Sequence, residues 1–518
     1  MKINKQYRLW DDTRIILMGK GILVGLLAGF IVSLFRLAIG LILKQVKIIY
    51  LFLTQQPQWL IGWILLSVVL AIFLGHLIHS EPNIKGSGIP QVEGQLQGTV
   101  ELHWWPVLWK KFIGGILAIG SGLFLGREGP SIQLGAMTGQ GVNQLFKGKR
   151  MDEKILLSSG ASAGLSAAFN APLAGLLFVL EEVHHNFSPL IGLTSLASAV
   201  TANFVSLNFF GLKPILDIGS LTPLPLSEYG HLLVLGFLLG LFGLMYQKVL
   251  LLLPRLYGKI PCLSAKYYSI VPFLLIIPIG LFAPDLLGGG NELIIQLGLF
   301  SPTIGILASL FILRFIFSMV SYGSQLPGGI FLPILTLGAI LGSLYGNLAV
   351  EFVGMDPIYI SSFIVLSMAG YFTAIGKAPL TAIILVTEMV GSLNQLMPLA
   401  VVSLVSYTIA DLTGAKPIYE ALLERLVGKD RYVLKGRKEI IEVTVQAESI
   451  LDGGMIRDFK WPKEALLTSI RRGESEIITH GDTVMHLGDT LIILTDEGVA
   501  QKVREQIKEM SEHKDKRI

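Results

Sequence analysis

Apolar stretches recur along the chain from about residue 15 to residue 410, among them Ile22–Leu43, Leu60–Leu77, Leu232–Leu253 and Ile304–Val320. Several approach the ~20 residues with which an α-helix crosses a bilayer. This pattern predicts many helices in lipid, because a single soluble core has no use for so many. Glycine and proline break it repeatedly, at Lys85–Pro90, Gly126–Pro130, Ala171–Gly175, Pro327–Pro333 and Ala378–Leu380. Many of the helices are therefore expected to be short or broken. Hydrocarbon penalises unsatisfied backbone groups by several kcal/mol each, so such breaks persist only inside protein or beside a polar cavity, and they commonly mark a permeation site.

The apolar region also repeats itself. Asn170–Glu181 reads NAPLAGLLFVLE and Lys377–Glu388 reads KAPLTAIILVTE, and a glycine-rich motif ending in proline precedes each, at Pro130 and Pro333. The offsets, 207 residues between Pro172 and Pro379 and 203 between Pro130 and Pro333, are nearly equal. Two homologous halves follow, and transporters bind substrate where such halves meet.

Beyond Tyr419 the pattern changes. Leu422–Lys438 is rich in charge, and residues 439–510 alternate short runs, Ile440–Val445, Ala465–Ile470, Glu476–Ile478 and Thr490–Leu494, with turns such as Arg472-Gly473-Glu474. An amphipathic stretch, Val499–Met510, closes the series as a helix. The expected organisation is a membrane domain over 1–425, a linker over 426–438 and a small α+β domain over 439–518. The fold class is thus an all-α polytopic membrane protein with a soluble α+β appendage.

Composition sharpens this. Of 518 residues, 52% are hydrophobic and 15% charged, with a mean hydropathy of +0.64; ordinary soluble domains carry about 25% charged residues. The net charge of +4 is small, and basic residues gather at the N-terminus, at Lys147–Arg150 and near the C-terminal end. That distribution fits the positive-inside rule and gives no case for nucleic-acid binding. The polar start, Met1–Arg14, leads to the expectation of no removable signal peptide and a cytoplasmic N-terminus. An even number of spans then places the C-terminal domain in the cytoplasm too. The single cysteine, Cys262, reads as a packed small hydrophobe with neither disulfide nor metal partner. No cofactor is implied.

An anion in a membrane needs partial positive charge without a full cation to trap it, and backbone N–H groups at helix N-termini provide that. Gly86-Ser87-Gly88-Ile89-Pro90 offers a hydroxyl between glycines, with a proline suited to a first helical turn, and Gly328-Gly329-Ile330-Phe331-Leu332-Pro333 repeats the design. Each motif is also compatible with an ordinary Gly/Pro helix break. Gly126-Arg127-Glu128-Gly129-Pro130 sets an ion pair between apolar stretches. Ionisable groups at that depth cost at least ~2.5 kcal/mol and are functional by default, a structural pair or an interfacial loop being the alternative. A carboxylate beside an anion path can fill the site when ionised and withdraw when protonated, which couples protons to anions. Glu181-Glu182, followed by His184-His185, reads from the pattern alone as a solvated helix end after the run Leu173–Leu180.

Taken in order, Gly86–Pro90, Gly126–Pro130, Gly329–Pro333 and Tyr419 resemble the CLC family of chloride channels and proton-coupled chloride transporters over nearly all of residues 10–425. The resemblance implies an anion site of the Ser87 and Tyr419 hydroxyls and the Ile330 and Phe331 amides, supported by Gly86, Gly88, Pro90, Arg127, Gly129 and Gly329. It makes Glu128 an external gate and Glu182 an inner proton acceptor of the kind carried by the family's exchangers. It also implies a homodimer of subunits with separate pores, each built of two inverted halves. Ser87 stands where nitrate-preferring relatives carry proline, which favours chloride, whereas Gln91 departs from the acidic residue many members have there. The C-terminal end resembles a TrkA-type (RCK-C) regulatory domain through Ala465–Arg472, Thr479–Asp482 and Leu487–Asp489, and with it comes the expectation of regulation by a small-molecule ligand or, equally, of a dimer-stabilising appendage. The function expected is chloride/proton antiport in a cell inner or plasma membrane, by a secondary transporter and not an enzyme. A passive chloride channel on the same fold is the nearest alternative. A serine hydrolase using Ser87 lacks a histidine in evident company, and a pure ligand sensor would not need so elaborate a membrane region.

Overall fold

A computed structural model describes residues 4–184, 188–219, 221–260, 264–427, 438–446, 449–473, 475–496 and 499–512. Cys262, His185, Glu474 and most of the 426–438 stretch lie outside them. The chain divides into two compact units, Met1–Leu426 and Val427–Ile518.

In the first unit, eight helices among the described residues are long and apolar enough to cross a bilayer. The apolar stretch at Ile22–Leu43 belongs to one much longer helix, Asn4–Gln55. The other three open into Leu60–Ser80, Tyr229–Tyr257 and Ile304–Gly323. The glycines of the first helix do not break it, and three of them serve packing. Gly21, Gly25 and Gly29, one turn apart, face Thr194, Ser198 and Ala202 of the helix Pro189–Phe210, and a Cβ on any of them would collide with that neighbour. Close approach of small residues is the usual basis of helix association in lipid.

Where glycine and proline interrupt the apolar pattern, the chain starts a new helix. Helices begin at Ile89, Glu128, Pro172, Phe331 and Pro379, one at each of the five interruptions. The preceding helices end at residues in the left-handed region, Asn170 (φ 51°) and Lys377 (φ 60°), at matching places in the two halves. Asn170 is held by Arg36, whose Nη1 donates to its Oδ1 at 3.0 Å, and Lys377 pairs with Asp411 at 2.8 Å.

The two halves cap each other. The Glu181 carboxylate accepts from the backbone N–H of Leu380 (3.1 Å) and Thr381 (2.7 Å) and from the Thr381 hydroxyl (2.8 Å). Glu388 returns the arrangement, accepting from Leu173 (3.1 Å) and Ala174 (2.8 Å). Each carboxylate thus satisfies the orphan donors at the start of the partner half's helix and opposes its dipole. This overturns the reading of Glu181-Glu182 as a solvated helix end. The helix Pro172–Phe178 passes into a π-helical turn, Val179–Val183, in which Glu182 is only 3% exposed.

The second unit is a four-stranded antiparallel sheet of β1 (Lys438–Thr444), β2 (Leu466–Arg472), β3 (Ser475–Ile478) and β4 (Thr490–Asp496), in the order β1-β4-β2-β3. One face, with Ile441, Val443, Ile470, Leu491 and Ile493, forms a core with Val503 and Ile507 of the helix Ala500–Glu512. Arg472 clamps Asp489 through Nε and Nη2, both at 2.8 Å, and Asp489 also accepts from the His486 N–H. The guanidinium bond, together with that N–H, holds the Asp489 carboxyl below its ordinary range. A lowered folded-state value stabilises above the unfolded value and loses that contribution as pH falls through the folded one. The C-terminal unit of the intact protein should therefore become protease-sensitive as pH drops below about 4. Asp489→Ala should make it sensitive at neutral pH, with a loss of about 1–3 kcal/mol; a digestion pattern unchanged by the substitution would contradict this.

Candidate functional site

Three helices of the first unit begin in one neighbourhood, and backbone bonds between their leading loops hold them there. Gly126 and Gly329 exchange a mutual pair, Gly126 N–H to Gly329 O at 2.8 Å and Gly329 N–H to Gly126 O at 2.6 Å. Gly328 N–H donates to Gly86 O at 3.0 Å. The helices Ile89–Gln97, Glu128–Leu145 and Phe331–Val353 are thereby tied at their N-terminal ends. Those ends carry free N–H groups and the positive pole of the helix dipole.

Glycine is required where these loops meet. A Cβ on Gly129 would lie 2.7 Å from the Ser87 Cβ and 2.8 Å from its carbonyl oxygen, so the loop of Glu128 rests directly on the loop of Ser87. Gly86 (φ 58°) and Gly88 (φ 88°) sit in the left-handed region and turn the chain around Ser87. The Ser87 hydroxyl accepts from Ile89 N–H at 3.3 Å, the first turn of the following helix.

The expected anion and proton residues are buried, Ser87, Glu128, Glu182, Ile330, Phe331 and Tyr419 all at most 3% exposed, while the supporting Gly86 and Arg127 are half-buried. Glu128 is fully buried, yet neither carboxylate oxygen has a hydrogen-bond partner of ordinary geometry, and Arg127 Nε stands 4.0 Å away. The carboxylate folds back over Gly126: a Cβ there would strike its Oε2 while standing 3.1 Å from the Leu332 N–H. The acidic group therefore lies at the head of the helix Phe331–Val353, where a bound anion would be favoured.

Tyr419 enters from the start of the helix Ile418–Val427. Its ring packs edge-on to Phe178 at 6.4 Å, and Phe178 meets Phe331 at 6.3 Å. Phe331 in turn stacks tilted on Phe169 (5.4 Å) and Phe372 (4.4 Å). The Tyr419 hydroxyl is buried without a hydrogen-bond partner, a donor left for a ligand. Tyr419 lies within electrostatic range of both Glu128 and Glu182, so the three named groups share one interior. The charges facing Glu182 are Glu93, Glu181 and Glu420, all acidic. Its Oε1 is buried without a partner.

Sequence reasoning missed Tyr322. Its hydroxyl would stand 3.2 Å from a Cβ on Gly86, and it lies beside the backbone and side chain of Ser87. Its place near the end of the helix Ile304–Gly323, just before Pro327-Gly328-Gly329, was the available signal. Gln91, at the position expected to be acidic, turns its Nε2 to Lys85 O at 3.0 Å. His184 pairs with Ser158 at 2.6 Å, and among the described residues no histidine bond to Ser87 is seen. Among the described residues no group of three or more His, Cys, Asp or Glu could hold a metal ion.

Comparison with known proteins gives a consistent result. The family model described as voltage gated chloride channel matches residues 67–411, and the TrkA-C domain matches residues 440–508. A relative from Vibrio cholerae, the H(+)/Cl(-) exchange transporter ClcA, is 36% identical over 431 residues, covering 81% of this chain and 92% of that protein. The Klebsiella pneumoniae protein of the same name is 33% identical over 429 residues, covering 81% and 90%. Among solved structures, a slow cyanobacterial Cl-/H+ antiporter matches with a TM-score of 0.75 at 30% identity, covering 80% of this chain and 99% of that one.

The close contacts at the glycines make a direct prediction. Gly126→Ala should displace the Glu128 carboxylate and Gly129→Ala should separate the Glu128 and Ser87 loops. Each should lower ion flux in liposomes roughly 100-fold, the scale of an about 1 Å misplacement at a reacting centre, while the protein stays monodisperse in detergent. Wild-type flux from either variant would show that the contacts do not matter.

Proposed function

The chain belongs to the voltage gated chloride channel family, and from that premise we propose that it is a chloride/proton antiporter, a multi-pass membrane protein that moves chloride across the bilayer in exchange for protons. The observation that carries the reading is the position of Glu128: a buried carboxylate without ordinary hydrogen bonds, lying by the Leu332 amide at a helix N-terminus. Ionised, it occupies the place of an anion; protonated, it loses its attraction to the helix end and yields to chloride.

Chloride binds between the hydroxyls of Ser87 and Tyr419 and the amides of Ile330 and Phe331. Helix N-termini and hydroxyls supply partial charges, so binding stays weak enough for release. Glu128 closes this site towards the outside. Glu182, buried at the π-helical turn Val179–Val183, receives protons from the cytoplasm. Tyr419, within range of both carboxylates, separates the inner proton site from the gate. Gly86, Gly88, Pro90, Arg127, Gly129 and Gly329 shape the loops around the ion. That relatives at 33–36% identity are named exchangers supports exchange over a passive channel.

We read the working molecule as a homodimer in a cell inner or plasma membrane, both termini cytoplasmic, each subunit with its own path. Residues 1–425 form the transport domain, 426–438 the linker and 439–518 a domain that regulates transport through a small-molecule ligand.

The decisive test uses purified protein in liposomes with an imposed chloride gradient and a potassium ionophore setting the voltage. Chloride should drive protons uphill; Glu128→Ala should abolish that, and Glu182→Gln should leave chloride movement while ending proton movement. Chloride flux without protons in the wild type would make the protein a passive channel. A chain truncated after Gly428 should lose any ligand response while retaining transport; identical rates under all ligand conditions would remove the regulatory role.

A further inference from the structure

A buried cation stands behind the Ser87 loop. Lys111, in the helix Trp104–Gly120, is 0% exposed, and its ammonium donates to Ile84 O at 2.9 Å and Gly86 O at 2.7 Å. Among the described residues its ammonium meets backbone carbonyls and no carboxylate. An amine at such depth is expensive, and its partners suggest what it is for.

The second half contains the same device. Arg314 lies 203 residues after Lys111, in the helix Ile304–Gly323, is 2% exposed and donates to Gly288 O at 2.7 Å and Leu286 O at 2.8 Å. The structures it holds also correspond. A short 3-10 turn, Pro82–Ile84 or Pro284–Leu286, leads through left-handed glycines, Gly86 and Gly88 or Gly288 and Gly290, into a nine-residue helix, Ile89–Gln97 or Asn291–Leu299. All these pairs are 202 residues apart. The halves differ at the centre of the loop: Ser87 in the first, Gly289 in the second.

The clamp acts on a peptide that would otherwise be free to turn over. Ser87 lies between glycines at φ 58° and φ 88°, and glycine adopts either sign of φ with little preference. A reversed Gly86-Ser87 peptide would direct a carbonyl oxygen, the negative end of the dipole, where an anion is to bind. Lys111 and the Gly328 N–H both hold the Gly86 oxygen, and in a trans peptide the Ser87 N–H then points the opposite way. That side carries the Tyr322 hydroxyl.

We propose that Lys111 is a positioning residue for the anion site: its ammonium, holding the carbonyls of Ile84 and Gly86, fixes the Ser87 loop with its N–H and hydroxyl towards the ion. Arg314 is the scaffold form of the same clamp, on a loop without a hydroxyl. The inference rests on Ser87 belonging to the chloride site.

The test separates affinity from turnover. Chloride binding to purified full-length protein is measured by calorimetry, and chloride KM and maximal flux in liposomes. Lys111→Met, close in volume but without a donor, should weaken chloride binding and raise KM by about tenfold or more, with maximal flux at saturating chloride reduced far less. Lys111→Gln, which keeps a donor on a shorter stem, should fall between Met and wild type, and serves alone if the Met variant does not fold. Lys111→Arg, the residue used at the matching place in the second half, should restore most of the affinity. Folded Met or Gln variants with wild-type chloride affinity would overturn the proposal, as would a loss confined to maximal flux. The antiport reading fails separately, on absent proton movement in the wild type, and chloride affinity still reports on Lys111 in that case.

Discussion

The mutual backbone pair between Gly126 and Gly329 is the interaction on which the membrane unit's centre depends. Two broken segments, one from each half, leave peptide groups that lipid cannot satisfy, and they satisfy one another. Once they do, the helices Glu128–Leu145 and Phe331–Val353 must start side by side, and the Gly328 bond to Gly86 brings in the helix Ile89–Gln97. A polar interior at membrane depth follows from pairing the breaks. Glycine is what permits it, because side chains at Gly126 or Gly129 would occupy the space of Glu128 or Ser87.

The charges placed around that interior divide the work. Lys111 and Arg314 are each engaged with two carbonyl oxygens of the loops beside them. In the proposed site, partial charges from helix ends and hydroxyls do the binding. Among the buried polar atoms without a hydrogen bond are both carboxylate oxygens of Glu128, the Tyr419 hydroxyl and Glu182 Oε1, the groups to which the proposed exchange assigns ion and proton.

The two halves are alike where they hold each other and unlike where they act. Glu181 and Glu388, 207 residues apart, exchange the same N-terminal caps. One residue further on, the first half has Glu182 in a π-helical turn and the second has Met389 in a regular helix, Pro379–Val390. Such π-turns are rare and concentrate at functional sites. Symmetry thus supplies the frame, and the departure from it supplies a single inner carboxylate.

By itself the sequence determined the membrane class, the interrupted helices, the internal duplication and the C-terminal α+β domain, because these follow from hydropathy, Gly/Pro placement and repeated strings, all local properties. It also exposed Ser87, Glu128, Ile330 and Phe331, each inside a compact motif. The pattern alone put Glu181 and Glu182 at a solvated helix end, with only the family resemblance giving Glu182 an inner role, since the donors that meet Glu181 lie some 200 residues away and leave no local trace. Lys111 and Arg314 were illegible for the same reason: each sits in an ordinary-looking apolar helix and gains its meaning from a loop elsewhere in the chain. Only the tertiary structure decided which breaks pair, which carboxylate covers which helix end and which carbonyls Lys111 and Arg314 hold, because those choices are made by contacts between residues far apart in the chain, not by neighbours in sequence.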